Sequence, residues 1–298
     1  MGDGELLKLY FNSEPILEEA PDVLFVEKPC ITPLPQLLEL MPILRRMGPV
    51  VAIMHEGVVP RPRSFYALHW DLATVFDQRF YRLYGHLIRA RAVKVVPYPF
   101  HPVVRGDRRE ARRALGLPED REIVLSFGIR AKHLGPIMPY VAEVASKRDL
   151  MFLILAKHKD DLAHALKLKA RYDFVEVRHE APHYTGLYRY LHASDVILPH
   201  RPPRHDYIPV SSTVHLCLGA LRPILCPSNS FFENYDGAVI TYRGPRDMVE
   251  KLELILDGDA VIEEALGRAE ELIRENTPDR IARELLELAF EAWNRPWS

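Results

Sequence analysis

Cysteine is scarce in this chain of 298 residues, which has only three, Cys30, Cys217 and Cys226. A small secreted domain held by disulfides would need more of them, in a closely spaced framework. Each cysteine here stands in an apolar stretch of sequence, where a thiol behaves as a small buried hydrophobic group. We therefore expect free thiols, a reducing compartment and a cytoplasmic location.

A surplus of positive charge is also lacking, because 39 Lys and Arg residues face 41 Asp and Glu residues and leave a formal net charge of −2. Proteins that bind nucleic acid usually carry a strongly basic face, so we expect no nucleic-acid partner. No apolar run approaches the roughly 20 residues of a membrane-spanning helix, and the N-terminus lacks the pattern of a signal peptide. The composition is that of a soluble globular protein, long enough for two domains.

Side-chain amides are the third deficiency of the sequence. Gln occurs only at Gln36 and Gln78 and Asn is sparse, whereas Arg, Glu and Pro are abundant. Proteins from hot environments avoid thermolabile amides and are rich in charged residues. This balance predicts a thermophilic source.

In the first third of the chain, short apolar runs alternate with apolar residues at helical spacing. The runs predict strands at 22–27, 50–55, 72–76 and 93–97. Helical spacing predicts helices at 34–47 and 79–91. Pro97, Pro99 and Pro102 then stiffen a linker. A small helix follows the linker, with Asp107 as its N-cap and Gly116 just past its end.

The region from residue 123 onwards alternates strand and helix more regularly. Strands are predicted at 123–127, 151–155, 174–177, 196–198 and 223–226. Helices are predicted at 136–146, 160–170, 186–193, 213–220 and 247–256. This alternation is typical of right-handed βαβ units in a doubly wound parallel sheet. Two charged helices close the chain, and Thr277 with Pro278 is a good cap and first-turn pair for the last one.

One strand in this region ends in a polar loop that leads directly into a helix. The strand covers 196–199, and the helix starts on Ser211, Ser212 and Thr213. Ligands of open parallel sheets bind beyond the carboxyl ends of the strands, and a helix N-terminus offers free N–H groups to an anion. The segment therefore predicts a site for a nucleotide or a nucleotide sugar.

Four stretches of the chain, in order, resemble the C-terminal half of GT-B glycosyltransferases, in particular the large retaining family 4. They read RREARRALGLPEDREIVLSFGIRAKHLG, LYRYLHASDVILP, VSSTVHLCLGALRPIL and FFENYDGAVITYRGPRDMVEKLELIL. The closing TPDRIARELLELAFEAW resembles the helix that crosses back to the N-terminal domain in that fold. This likeness covers roughly residues 108 to 293, and the N-terminal third is similar more loosely through VVAIMHEG and VKVVPYPFHPV.

The resemblance implies an α/β fold in which two Rossmann-like domains face each other across a cleft. We expect an abbreviated N-terminal, acceptor-side domain over 1–103. The nucleotide-sugar-binding domain is expected over 104–276, and the returning C-terminal helix over 277–298.

In that family, an Arg and a Lys just beyond the first strand of the nucleotide domain neutralise the diphosphate leaving group. The resemblance assigns this role to Arg130 and Lys132, on a loop that begins at Gly128. Charge builds on the diphosphate as the glycosidic bond breaks, so fixed cations there lower the barrier. The spacing after Gly128 is shorter than the family's pattern. The alternative interpretation is a solvated basic loop.

Other site residues follow from the same resemblance. Ser211, Ser212 and Thr213 are expected to present hydroxyls and N–H groups to the distal phosphate, a role compatible with ordinary capping. The base is expected to rest on backbone groups between residues 177 and 188. His55, at a strand end of the first domain, matches a His that lies near the transferred sugar in the family, although such a residue is often only structural.

The sequence also departs from the family at two places. Retaining members carry two Glu residues with seven residues between them, and alignment on Pro223 puts Ile208 and Leu216 at those positions. The carboxylates that hold the ribose and the sugar hydroxyls are therefore missing, and Asp206 and His215 are nearby polar candidates out of register. The glycine-rich loop of the acceptor domain is also missing, since the sequence is expected to begin downstream of it.

Two metal-like patterns have simpler interpretations. The Asp-Gly-Asp sequence at 257–259 imitates the metal motif of the other large glycosyltransferase fold, but it follows a helix, where a terminating turn is favoured. His200, His205 and Asp206 offer metal ligands, yet no second cluster accompanies them. Their polarity fits a loop that faces a nucleotide. We therefore predict no metal site.

The segment from Arg79 to Lys94 has the pattern of a basic amphipathic helix. One stripe is apolar and the other faces carry arginines: Phe80, Leu83, Tyr84, Leu87 and Ile88 against Arg79, Arg82, Arg89 and Arg91. Such a helix can lie on an anionic bilayer, which would make the acceptor a lipid or a lipid-linked glycan. Packing of the stripe on the sheet is the favoured interpretation, because every surface helix needs such a stripe.

These observations together predict a glycosyltransferase that moves a hexose from a nucleoside diphosphate sugar to an unknown acceptor, with retention and without a cofactor. Two alternatives stay open. The missing Glu pair favours a catalytically inactive, nucleotide-binding scaffold or a partner subunit of an active transferase. An epimerase or hydrolase on the same fold is the other alternative.

Overall fold

The computed structural model describes residues 10–61, 63–204 and 206–296. These residues form two compact units. The first comprises 10–98, 206–209 and 278–296, and the second comprises 99–204 and 210–277. Each unit is built around a parallel sheet. Within the described ranges, no helix combines the length and the apolar content that crossing a bilayer requires.

Strands and helices are numbered here along the chain. The strands are β1 (Leu24–Glu27), β2 (Val50–Met54), β3 (Trp70–Val75), β4 (Ala90–Val95), β5 (Glu122–Ser126), β6 (Leu150–Leu155), β7 (Val175–Arg178), β8 (Val196–Ile197), β9 (Leu225–Pro227) and β10 (Ile240–Tyr242). The helices are α1 (Glu14–Glu19), α2 (Leu34–Met47), α3 (Gln78–Tyr84), α4 (Arg108–Leu115), α5 (Met138–Ala145), α6 (Lys159–Arg171), α7 (Tyr184–Ala193), α8 (Ser212–Cys217), α9 (Pro245–Leu256), α10 (Val261–Glu275) and α11 (Pro278–Trp293).

The sheet of the first unit has the order β1-β2-β3-β4, with all neighbours parallel. Every residue of β3 is buried, as expected for a strand covered on both faces. The C-terminal helix α11 packs on this sheet, and its Ala289 and Ala292 lie against Val51 and Leu72. Small side chains at these two positions allow a close approach of helix and sheet.

A buried carboxylate joins several parts of the first unit. Asp71 in β3 is fully buried, and its Oδ1 pairs with Arg45 of α2 at 3.2 Å and with Arg91 of β4 at 3.1 Å. The other oxygen accepts the N–H of Val50 at 3.1 Å. Arg91 also donates to the carbonyl of Trp293, at the end of α11. The acid thus links three strands (β2, β3 and β4), one helix and, through Arg91, the C-terminal segment.

The predicted helix from Arg79 to Arg91 is wrong in its second half. Helix α3 begins at the N-cap Asp77 but ends at Tyr84, a 3₁₀ turn covers Gly85–Leu87, and β4 starts at Ala90. The sequence ARAVKV favours an extended strand because its valines are β-branched. A seven-residue helix cannot supply an amphipathic face as far as Lys94, so the prediction of membrane contact through an Arg79–Lys94 helix is wrong as well.

The second unit has the sheet order β7-β6-β5-β8, again with parallel pairs. Strand β9 pairs with β10, and a single bridge between Ile197 and Ile224 joins β8 to the start of β9. Numbered within the unit, the strand order is therefore 3-2-1-4-5-6, the order of dinucleotide-binding Rossmann domains. The predicted doubly wound α/β sheet is confirmed, with small shifts at the strand ends.

Alternating side chains of β5 fill two separate cores in this unit. Ile123 and Leu125 belong to one apolar cluster, whereas Val124 belongs to the other. All three are fully buried, so both faces of the sheet are covered by helices. Strand β10 was not among the predicted strands. It is only three residues long, which is too short to show a periodicity in the sequence.

Candidate functional site

The loop after β5 begins with a close approach of two segments. Gly128 has φ +67°, in the left-handed region where an L side chain is strained. A Cβ atom at this position would lie 2.6 Å from Oγ1 of Thr213, in the first turn of α8. The start of α8 therefore packs directly against this loop. Two of the segments predicted to bind phosphate are neighbours in the fold.

The side chain of Ser211, the N-cap residue of α8, is only 3% exposed. Its hydroxyl oxygen is buried and has no hydrogen-bond partner among the described residues. Ser212 opens the helix and is exposed, whereas Thr213 is buried against Gly128. The three hydroxyls thus differ in environment, and only Ser211 retains unused hydrogen-bonding capacity in a buried place.

A cleft of about 640 Å³ lies at the carboxyl edge of the second sheet. We call it the carboxyl-edge cleft. Its walls are the loops that follow β5, β6, β8 and β9, and its lining residues are Gly128, Ile129, Arg130, His133, Leu155, Lys157, His158, Asp161, Arg201, Pro202, Arg204 and Phe231. The strand order reverses between β5 and β8, so this cleft is at the topological switch point where open α/β sheets bind ligands.

Positive charge dominates the lining of the carboxyl-edge cleft. Arg130, Lys157, Arg201 and Arg204 line it together with the single acid Asp161. The pKa of His133 in the same wall is lowered, first by burial and then by the nearby charges of Lys132, Arg201 and Arg130. Cations from three different loops therefore act on one volume, and an anion is the ligand that such a field attracts.

Of the two basic residues predicted at the diphosphate, Arg130 lines the cleft and Lys132 does not. The Arg130 side chain is 54% exposed, lines the cleft, and has its Nε 3.0 Å from Oδ1 of Asp161. Lys132 is exposed, in the 3₁₀ turn Ala131–His133, and does not belong to the cleft lining. The short spacing after Gly128 directs His133 into the cleft instead.

The arginines of the loop after β8 are part of the site and were not singled out from the sequence. Arg201 donates through Nη2 to the carbonyl of Gly128 at 2.7 Å, and its guanidinium lies 5.2 Å from the ring centre of Phe231. Asn229 donates to the Arg201 carbonyl at 2.9 Å. This loop is thus held by contacts to the loops after β5 and β9. The polarity of the sequence HRPPR was the signal that could have identified it.

His215 is a core residue of the second unit and not a lining residue of the cleft. Its ring is 8% exposed and stacks on Phe100 with ring centres 4.3 Å apart. Nδ1 lies 3.0 Å from the Ser211 carbonyl and 3.1 Å from the Tyr235 hydroxyl. Burial lowers its pKa to about 4, so the ring is neutral at pH 7.

His55 belongs to the first unit and follows β2 at the carboxyl edge of that sheet. Its Nε2 lies 3.7 Å from Glu27, and its ring meets Phe76 edge to face at 4.8 Å. Burial is the main cause that lowers its pKa. A largely neutral imidazole in a half-buried position can donate or accept a hydrogen bond. Its expected contact with the transferred sugar stays a prediction.

The segment that follows the β8 loop belongs to the first unit. Ile208, at the position of one missing Glu, donates its N–H to the Gly57 carbonyl at 2.8 Å. Asp206 is exposed, and His205 lies outside the described residues. Among the residues that are described, no three His, Cys, Asp or Glu side chains form a group that could hold a metal ion.

Substitution of Gly128 by Ala should destabilise the second unit by about 1–3 kcal/mol, because the new methyl is strained by φ and meets the Thr213 side chain. Thermal unfolding measures the loss. Thr213→Ala in the same chain should recover the steric part. Gly267→Ala in α10, where no atom lies within 4 Å, is the control and should not destabilise. Equal melting temperatures for Gly128→Ala and the control would contradict the contact.

The buried His215 predicts a loss of stability in mild acid. The pKa of His215 is 6.5 in the unfolded chain and about 4 in the folded chain. Between pH 6.5 and pH 4, the ring is therefore protonated in the unfolded chain and neutral in the folded chain. The contribution is on the order of 3 kcal/mol and develops between pH 6.5 and pH 4.

Thermal unfolding at pH 7 and at pH 4.5 tests this loss of stability. The melting temperature of His215→Gln should decrease less between the two pH values than that of the wild type. His164→Gln, at an exposed position, should behave as the wild type. An unchanged acid sensitivity in His215→Gln would refute the assignment.

No protein-family model matches the chain. Solved structures with a similar fold include a glycosyltransferase from Rickettsia africae ESF-5, at 13% identity over 99% of this chain and 83% of that one, TM-score 0.68. Anabaena HepE, solved in complex with UDP and glucose, is similar at 11% identity over 92% and 79%, TM-score 0.68. A sucrose-phosphate synthase from Thermosynechococcus elongatus follows at 14% over 95% and 80%, TM-score 0.63. At these identities the likeness shows the fold alone: this chain has the α/β fold with parallel sheets of the GT-B glycosyltransferases.

Proposed function

We propose that this protein binds a nucleoside diphosphate sugar through the carboxyl-edge cleft and transfers its hexose to an acceptor with retention. The observation that carries the proposal is the convergence of four cationic side chains at the switch point of a Rossmann-ordered sheet. The GT-B fold and the resemblance of the sequence to retaining family 4 support this reaction class. HepE, of similar fold, was solved with UDP and glucose, which supports a UDP-sugar as the first donor to test.

The charge of the cleft suits the leaving group of this reaction. When the bond between the sugar and the diphosphate oxygen breaks, its electron pair stays on that oxygen. The acceptor oxygen forms the new bond to the sugar, and the proton of the acceptor hydroxyl passes to the departing diphosphate. Arg130, Arg201 and Lys157 would stabilise the negative charge that develops there. Such preorganised charge acts mainly in the transition state, where it lowers the barrier.

The start of α8 is outside the cleft lining but packs on the loop after β5, which forms one wall of the cleft. The missing Cβ at Gly128 lets Thr213, in the first turn of α8, approach the main chain of the loop after β5. Ser211 has a buried hydroxyl oxygen without a partner, at the start of the helix that packs on this loop. We propose that the Ser211 hydroxyl and the neighbouring N–H groups of Ser212 and Thr213 donate hydrogen bonds to phosphate oxygens.

Arg130 and Lys132 provide a matched pair for the test, because they share a loop and only Arg130 lines the cleft. Calorimetric titration of UDP, GDP and ADP should identify one nucleotide that binds the wild type. Arg130→Ala should weaken that affinity at least tenfold, since a charge-assisted contact to phosphate contributes about 1.5–3 kcal/mol. Lys132→Ala should change it by less than about threefold.

A titration series in which no diphosphate binds, or in which Lys132→Ala is the weaker binder, would overturn the site. Thermal unfolding of both variants without ligand is the control for folding. A rise of the melting temperature on adding the nucleotide then reports binding to the folded state.

A non-catalytic nucleotide-binding scaffold is the second candidate. It is favoured by Ile208 and Leu216, which occupy the positions of the two missing Glu residues. In the structure, Ile208 belongs to the first unit and Leu216 packs against the apolar core of the second. If the best nucleotide binds but its glucose and mannose conjugates are neither hydrolysed nor transferred to any sugar or lipid-linked acceptor offered, the scaffold is the correct function.

A further inference from the structure

A single carboxylate lies among the cations of the carboxyl-edge cleft. Asp161 is the one acidic side chain in the described lining, in the first turn of α6, and its side chain is 7% exposed. An acid in a site for phosphates repels the ligand's charge, so its presence needs a reason. Either it serves the protein alone, or it recognises a part of the ligand that is not an anion.

The contacts of Asp161 leave unused hydrogen-bonding capacity. Its Oδ1 is buried and accepts no hydrogen bond from the described residues. Nε of Arg130 lies 3.0 Å away, but the N–H of Arg130 is not aligned with this oxygen. The two groups therefore form an ion pair without a hydrogen bond. An oxygen that is ion-paired but accepts no hydrogen bond can accept one from a ligand.

The position of Asp161 in the sheet indicates the kind of donor. Helix α6 follows β6, which is the second strand of the unit and adjoins β5. In Rossmann domains that bind dinucleotides, an acid beyond the second strand accepts hydrogen bonds from ribose hydroxyls. A carboxylate has two oxygens that can accept the hydrogens of two adjacent hydroxyls. Asp161 thus has the chemistry and the location of a diol-binding residue.

We propose that Asp161 forms a diol subsite within the carboxyl-edge cleft. The inference rests on the proposed function, since it takes the ligand to be a nucleoside diphosphate or its sugar conjugate. In the structure, Nε of Arg130 lies 3.0 Å from Oδ1 of Asp161. When a diphosphate enters, the half-exposed guanidinium of Arg130 turns to the phosphates, and a vicinal diol of the ligand donates to the carboxylate in its place.

The alternative is a purely structural role, in which Asp161 holds Arg130 in position and does not contact the ligand. The two roles predict different binding data. Loss of a positioning residue weakens every diphosphate by the same factor, whether or not a hydroxyl is missing from the ligand. Loss of a diol-binding residue removes the preference for the intact diol. The ratio of two affinities therefore separates the roles, and a change in overall affinity does not.

Calorimetric titration with paired ligands is the experiment. The ribose arm compares UDP, GDP and ADP with their 2′-deoxy forms. The sugar arm compares UDP-glucose with UDP-2-deoxyglucose. In at least one arm the wild type should prefer the intact diol by about tenfold or more, because hydrogen bonds to a charged group have that strength. In Asp161→Asn, the ratio of the affinities for the intact and the deoxy ligand should fall below about threefold in the same arm. The arm that responds shows whether the diol belongs to the ribose or to the sugar.

Asp160→Asn is the matched control, because it removes the same charge from the same turn at an exposed position outside the cleft lining. It should keep the wild-type ratio. If Asp161→Asn does not fold, Asp161→Ser takes its place in the titrations.

Ratios near one for the wild type in both arms would overturn the diol subsite while leaving nucleotide binding intact. A ratio that persists in Asp161→Asn would do the same. Absence of binding by every ligand would instead overturn the proposed function, so the two failures are distinguishable.

Discussion

Parallel pairing of β5 with β6 on one side and β8 on the other is the constraint on which the second unit depends. Because all three strands run in the same direction, their following loops meet at one edge of the sheet, and the reversal of the strand order there leaves a crevice between the loops after β5 and β8. The cleft and its cations are consequences of this pairing. Arg130 and Arg201, separated by 70 positions in sequence, line one volume for this reason.

The sequence was sufficient to predict every described strand except β10, with shifted ends, and the polar loops that follow them, because buried parallel strands are short apolar runs with polar residues after them. It was insufficient wherever a side chain's direction decides the role. Arg130 and Lys132 look equivalent in the sequence, yet a 3₁₀ turn directs one into the cleft and the other to solvent. His215 was a polar candidate next to a helix start, but packing on Phe100 makes it a core residue.

Two further features could not be read from the sequence, each for its own reason. In the first, local periodicity competes with strand pairing. The apolar stripe from Phe80 to Ile88 fits a helix, whereas Val93 and Val95 pair with β3 and extend the chain. The second is Asp161, which the sequence did not single out as a binding residue. An acid in the first turn of a helix is common and needs no ligand to explain it. Only its burial beside Arg130, in a basic cleft, makes it a candidate for binding.

We propose that the loops after β5, β6 and β8 together receive a diphosphate. Hydrogen–deuterium exchange with and without saturating UDP tests it most directly, because each loop reports separately. We expect slower exchange in peptides that cover residues 127–133, 156–161 and 200–204, with little change at the opposite edge of the same sheet. Protection confined to other segments, or none at a UDP concentration that raises the melting temperature, would contradict it.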